Sequence, residues 1–343
     1  MQIFKTVERK RAVERGLDFI YQIACNRRNF AEYSSDLLCC FYLIASTTGD
    51  SGLRQMAWEM GKERACQWRV HHTSLPPDAD PDIIVNFVYG SDAADRLGIR
   101  DDDLKEQIQQ AAGHFSAQDY LGFDPTCEPP PSDFPEICGC GVVNERGRKK
   151  CSQCKKQLTM MTRYLVWYDA LIRTYSADRY GVTVGARYSD VVRWLPVMRP
   201  YRGRENDSNP DFYDTAYAVT HLVYTLNDYN VYTLSPRWLP AEFAFLKSNL
   251  TEVIAMEDPQ MAGEFLDTLR AFELSENDPL IRTGMEYLLS RQNRDGSWGD
   301  IDTEDIYSRY HSTWTAIDGL REYAWRRAEF PGIEAAINGV GRK

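Results

Sequence analysis

Cys138-Gly-Cys140 is followed after ten residues by Cys151-Ser-Gln-Cys154. Two pairs of thiols on turns, joined by a short loop with Gly139, Gly141 and Gly147, can meet tetrahedrally around a metal ion. Zinc fits four thiolates best, and they fill its coordination shell, so this is expected to be a structural staple without an open position for substrate. An iron–sulfur cluster or a redox pair are the alternatives. The first pair is C-x-C, a tighter geometry than C-x-x-C, and Cys127 is a spare that can replace Cys138. Lys149 and Lys150 soften the negative charge of four thiolates.

The chain has only five histidines, and His311 stands where a polar loop gives way to an apolar and aromatic helical pattern. At a helix start the positive end of the dipole favours the neutral imidazole, the form a metal or a general base needs. The plainer reading is a histidine that caps its helix or bonds to Asp305. In the stretch NPDFYDTAYAVTHLVY, Asp211 and Asp214 share a face at a helix start. They are site candidates or N-caps. His221 follows Asp214 by seven residues, two turns, so both can face one cavity about 10 Å apart along the axis. It reads as a deeper ligand, a general base, or a core histidine bonded to Tyr224 or Asp228. His71 and His72 point about 100° apart on a helix, so at most one faces a given site. With His114 they are weak candidates.

These groups need helices to position them. Helical periodicity runs through residues 36–47 (with Ser34 and Ser35 as capping candidates), 158–175, 213–226, 242–256, 262–274, 279–291 and 311–326. No sustained strand alternation is present, so the fold class is all-α. Residues 124–156 break the pattern with five prolines and then the cysteines, and read as an insertion between helical parts 1–123 and 157–343. A faint internal repeat relates RGLDFI, residues 15–20, to TGMEYL, residues 283–288. Each is followed by a polar stretch and another helix, and such hairpins must stack or close into a ring to bury both faces.

The chain has 343 residues, is 43% hydrophobic and carries a formal charge of −10. That balance argues against non-specific nucleic-acid binding, because the basic stretch 146–150 is short and lies among cysteines. The longest apolar run, residues 37–45, is far short of the ~20 a spanning helix needs. The N-terminal stretch lacks the apolar core of a signal peptide. Nine cysteines, an odd number, with Cys39 and Cys40 inside an apolar run, suit a reducing compartment. A soluble cytoplasmic protein is expected, with oligomeric state open.

Gln292 to Trp298, QNRDGSW, matches the Q-x-x-D-G-S-W motif of terpene cyclases. Asp295-Gly296 supplies its turn, and the motif is expected to stitch one helical hairpin to the next without chemistry. The segment DIYSRYHSTWTAIDGL, residues 305–320, resembles a stretch of protein prenyltransferase β subunits in which a histidine at an inner-helix start binds zinc. His311 holds the matching position. The D-x-x-D-T-A core from Asp211 to Ala216 resembles the D-x-D-D-T-A motif of class II terpene cyclases, with Tyr213 where the proton-donating aspartic acid stands. A phenol, pKa about 10, is a far poorer donor to an alkene. Against the prenyltransferases, Asp214 fits the zinc-binding aspartate, but Ala216 replaces the cysteine ligand.

The resemblance implies an α/α toroid, an inner ring of helices within an outer ring, with a small cysteine-rich zinc-binding insertion. It also implies an enzyme acting on a hydrophobic or isoprenoid-like small molecule in the central cavity, with Asp214, His221, His311, Asp211 and Tyr213 as catalytic candidates. His311, Asp214 and His221 would hold a second, divalent metal ion as Lewis acid or water activator. A cyclase with displaced acid chemistry, or a non-catalytic binding or scaffold protein, are the alternatives.

Overall fold

A computed structural model describes residues 2–327. The last sixteen residues of the predicted part 157–343, and Met1, lie outside the described residues. The chain is mainly α-helical. In order the helices are α1 (Gln2–Cys25), α2 (Arg27–Thr47), α3 (Ser51–His71), α4 (Pro81–Arg96), α5 (Asp102–Ala112), α6 (Ala117–Leu121), α7 (Arg163–Tyr180), α8 (Tyr188–Val192), α9 (Leu195–Met198), α10 (Phe212–Leu226), α11 (Pro240–Ala255), α12 (Pro259–Ala271), α13 (Pro279–Ser290) and α14 (Ile306–Leu320). Two short strands, β1 (Tyr232–Thr233) and β2 (Arg326–Arg327), pair in parallel with Tyr232 opposite Arg326. No described helix is long and apolar enough to cross a membrane.

Local chemistry accounts for many helix starts. Asp80-Pro81, Asp258-Pro259 and Asp278-Pro279 each place an aspartate at the N-cap, bonded to a backbone amide, and a proline in the first turn. Proline fits there because its missing N–H has no partner to lose. Asn26 caps α2, accepting from the amides of Arg28 and Asn29. The predicted start at residue 36 was therefore late: the helix runs through the polar RRNFAEY segment with a kink at Tyr33, and Ser34 and Ser35 are not its caps. The helix predicted from residue 158 begins after Thr162, because Leu158 and Met160 pack on the cysteine lobe instead. The last predicted helix shifts most. It starts at Ile306, capped by Asp305, and ends at Leu320, so Arg326 lies in β2.

The helix contacts form a closed circuit. Helix α2 packs on α4, α4 on α7, α7 on α10, α10 on α12, α12 on α14, and α14 returns to α2. The intervening helices flank this circuit: α1 lies against α14 and α2, α3 against α2 and α4, α11 against α10 and α12, α13 against α12 and α14. Every residue of α12 from Met261 to Ala271 is buried. A helix buried all round is surrounded by protein on every face. Helices α12 and α14 cross at a glycine contact: a Cβ on Gly263 would lie 2.4 Å from the Thr315 carbonyl oxygen.

The Gln292–Trp298 loop joins α13 and α14 to the flanking helix α1. Gln292 Nε2 donates to the Ala12 carbonyl of α1 (2.8 Å) and to Gly296 O (3.0 Å). The Trp298 indole donates to Leu288 O (2.7 Å), its amide donates to Thr313 Oγ1 (3.1 Å), and its ring packs over Gly16. Gly296 has φ +96°, and a Cβ there would lie 2.6 Å from Arg15 O. The loop therefore ties α13 to α14, as expected of a stitching motif, and also binds both to α1.

Candidate functional site

Two sites emerge, one in the lobe between α6 and α7 and one in the helical interior. No helix occurs in the lobe. Its buried apolar cluster is only Cys138, Cys151 and Leu158, with Val142 and Met160 against it. So small a core rarely holds a fold without a staple. Two turns present the thiols. In the first, the Gly141 amide donates to Cys138 O (2.7 Å), with Gly141 at φ +83°. In the second, the Lys155 amide donates to Cys151 O (3.2 Å), with Lys155 at φ +62°.

The sulfurs of Cys138 and Cys154 are 3.4 Å apart, those of Cys140 and Cys151 3.6 Å, and all four lie within 4.8 Å of one another. Four sulfurs about 2.3 Å from a tetrahedral ion would sit about 3.8 Å apart, so the set can hold a metal ion. All four are free cysteines. The Cys154 backbone amide, helped by that of Gln153, pulls the Cys151 thiol down to about 6, against burial. The Cys140 amide pulls Cys138 the same way, but the surrounding thiols outweigh it and push Cys138 up to about 12. Cys127 is exposed, bonds Asp124 O, and takes no part, so it does not replace Cys138.

The second site is a cavity of about 60 Å³ inside the helical circuit, whose lining includes Leu43 from α2, His221 and Tyr224 from α10, Glu264 from α12, and His311, Trp314, Thr315 and Asp318 from α14. The α14 residues fall at i, i+3, i+4 and i+7, a single helix stripe. Both histidine rings lie deep in the protein yet keep some accessible surface, as cavity walls do. Burial lowers each to about 4, so both are neutral at pH 7. His311 is in the second turn of its helix, not at the start. Burial rather than the helix dipole keeps it neutral, and Asp305 caps the helix in its place.

His221 Nδ1 lies 2.8 Å from Tyr217 O. A carbonyl only accepts, so Nδ1 carries the proton and Nε2 keeps a free lone pair. Neither Tyr224 nor Asp228 hydrogen-bonds the ring: Tyr168 stacks on it at 5.2 Å and Tyr224 meets it edge-on at 5.6 Å. His311 lies 4.9 Å from the Tyr307 ring and 5.9 Å from Trp314, and its buried Nδ1 has no hydrogen-bond partner.

Glu264 was not anticipated. It is 1% exposed, accepts from Thr220 Oγ1 (2.7 Å) through Oε2, and leaves Oε1 without a partner. Burial raises it to about 8, and the carboxyls of Asp258, Asp267 and Asp318 add to the rise. Asp267, three residues on, accepts from Asn230 Nδ2 (2.7 Å) and is raised by burial and by Asp318. Asp318 pairs with Arg321 Nε (2.6 Å). A signal was present in the sequence: two carboxylates one turn apart in MAGEFLDTLRAF, a run whose remaining residues, apart from Thr268 and Arg270, are apolar.

The other candidates lie apart from this cavity. Asp211 and Tyr213 are exposed, and Tyr213 keeps 45% of its surface. Asp211 occupies the N-cap position of α10 without a side-chain cap bond. Asp214 is half-buried and accepts from Thr162 Oγ1 (2.8 Å), the N-cap of α7, and it does not line the cavity. Only His221 and His311 of the predicted set converge. Among the described residues, the cysteines form the one group of three or more His, Cys, Asp or Glu side chains within metal-binding reach, so Asp214, His221 and His311 do not assemble a metal site. His72 stacks on Trp68 at 4.4 Å, and His71 and His114 are exposed. No protein-family model, curated protein or solved structure matches this chain.

Proposed function

We propose that the chain is an α/α toroid, stapled by zinc in its insertion lobe, and that its interior is an enzyme site for proton-transfer chemistry on a small molecule. The closed circuit of six helices with others flanking it supports the toroid. Thiolate ligands at tetrahedral spacing favour zinc, and free thiolates suit a reducing, cytoplasmic location.

One observation carries the enzyme reading. A single half-open cavity gathers two neutral imidazoles and a carboxyl held near neutral pH, with the buried His311 Nδ1 and Glu264 Oε1 atoms unpartnered. Buried polar atoms are rarely left unpaired unless a function uses them, and general acids and bases work best with pKa values near the operating pH. Glu264 is the acid, and His221, at about 4 too weak a base to take a proton at neutral pH, presents its Nε2 lone pair as a hydrogen-bond acceptor to the substrate. His311 orients the substrate. The second divalent metal has no part in this scheme.

Aromatic walls from Tyr224, Tyr229 and Trp314 suit an apolar substrate, in keeping with the implied isoprenoid class. Binding pockets for drug-sized ligands run to about 300–1,000 Å³, so only the reacting end of such a molecule fits here. The test is deuterium uptake. Purified protein in heavy water is incubated with allylic diphosphates and polyenes, and products are read by mass spectrometry. Wild type incorporates solvent deuterium, while Glu264→Gln and His221→Gln do not. Absence of turnover across the panel, or equal uptake in both variants, overturns the reading.

A further inference from the structure

The cavity's charges do not balance. Of its lining residues, two carboxyls, Glu264 and Asp318, stand against one guanidinium, Arg321. Arg321 is engaged with Asp318 and with Thr48 Oγ1 (3.0 Å), and Arg270 with the carbonyls of Gly319 (3.0 Å) and Arg321 (2.7 Å). Both guanidiniums are therefore spent, and of the carboxyls lining the cavity Glu264 is the one left without a counter-charge. A buried carboxylate without a counter-charge is costly enough that it must take up a proton or meet a cation.

The rest of the wall is built of acceptors and π faces. Glu264 Oε1 has no donor, and His221 Nε2 offers a lone pair once Nδ1 is committed to Tyr217 O. Neutral His311 offers another on one of its nitrogens. Tyr224 and Tyr229 stack at 5.9 Å along one side, and Trp314 stands on another. Aromatic faces within about 6 Å attract a desolvated cation. A metal ion is disfavoured because no third ligand is in reach among the described residues. An anion finds no uncommitted guanidinium on this wall.

We propose that this cavity binds a small organic cation, a protonated amine head group, with the Glu264 carboxylate as counter-ion and the His221 and His311 nitrogens accepting its N–H groups. The proposal rests on the site read above and assigns it a ligand class: the ammonium takes the ionised form of Glu264, so it occupies the site in competition with a substrate that Glu264 protonates. Aromatic rings and a single carboxylate select an ammonium over its neutral isostere. Glu264 must give up its proton to receive the cation. The other titratable and charged groups around it are Tyr168 on α7, Tyr217, His221 and Tyr224 on α10, Tyr229 after it, Asp258 at the N-cap of α12 and Asp267 on it, Tyr307, His311 and Asp318 on α14, and Arg321 at its end.

The test is calorimetric titration of the whole protein with ethylammonium chloride, with ethanol as the neutral isostere. Ethylammonium binds and ethanol does not. Affinity rises about tenfold per pH unit until the pH passes about 8, the Glu264 value. Below that, binding releases protons, seen as a dependence of the heat on buffer ionisation enthalpy. Glu264→Gln loses at least tenfold in affinity while melting as a folded protein with its metal content unchanged, and Glu264→Asp recovers part of the loss. Equal binding of ethanol, undiminished binding by Glu264→Gln, or no ethylammonium binding at any pH overturns the proposal and leaves Glu264 simply protonated. The two readings fail separately. Glu264-dependent amine binding without deuterium uptake removes the enzyme and keeps the site, whereas uptake without amine selectivity does the reverse.

Discussion

Glu264 shows how position sets the behaviour of a single residue. Its folded pKa of about 8 lies above the ordinary carboxyl value near 4.5. The folded state therefore holds the extra proton between those values, and its stability falls as pH rises through that window. Glu264→Gln keeps the shape and removes the titration. The variant should match wild type near pH 5 and exceed it above pH 8 by up to about 4 kcal/mol, read as urea midpoints across pH. The histidines act with the opposite sign. His221 and His311 are lowered to about 4, so the folded state binds fewer protons than the unfolded chain. Stability is fully present above their unfolded value near 6.5 and is lost as pH falls toward about 4. Nitrogen-detected NMR should find both rings neutral at pH 5, with the proton of His221 on Nδ1. A normal titration near 6.5 would contradict their burial.

At the scale of elements, two glycines decide whether helices can approach. Gly263 lets α12 cross α14, and Gly296 turns the loop against Arg15 at a φ that disfavours side chains. Gly263→Ala and Gly296→Ala should each lose about 2 kcal/mol or more in urea unfolding. Gly113→Ala, with φ −68° and its nearest contact at 3.5 Å, should change stability by less than about 0.5 kcal/mol. The loop motif and its turn were legible from Gln292, Gly296 and Trp298. Its attachment to α1 was not, because Ala12 and Arg15 carry no mark of a partner some 280 positions away. Helices with a clear apolar stripe were found to within a few residues, as α10 and α13 were. The Asp-Pro starts of α4, α12 and α13 were stronger signals than the serines chosen for α2, since a cap works only where the chain outside it leaves the helix.

Across the whole molecule, the lobe and the helical circuit have separate sources of stability. The lobe rests on four sulfurs and a handful of apolar side chains, the circuit on a large continuous core. Purified protein should hold one zinc per chain. Cys140→Ser or a strong chelator should remove it, open residues 122–162 to protease, and leave the helical circular dichroism unchanged. Loss of helix on chelation would instead mean that the lobe and the core unfold as one unit.

Much of this protein could be read locally. Helical class, the thiol pairs and the loop motif all depend on residues within about ten positions of each other, where backbone geometry sets what can meet. The interior site depends on α10, α12 and α14 arriving at one place. His221 and His311 were visible as rare residues, but their shared cavity was not. Asp211 and Tyr213 share a helix with His221 yet face solvent at its exposed end. Glu264 acquires its chemistry only from packing, because burial on every side is what holds a proton on an otherwise ordinary carboxyl.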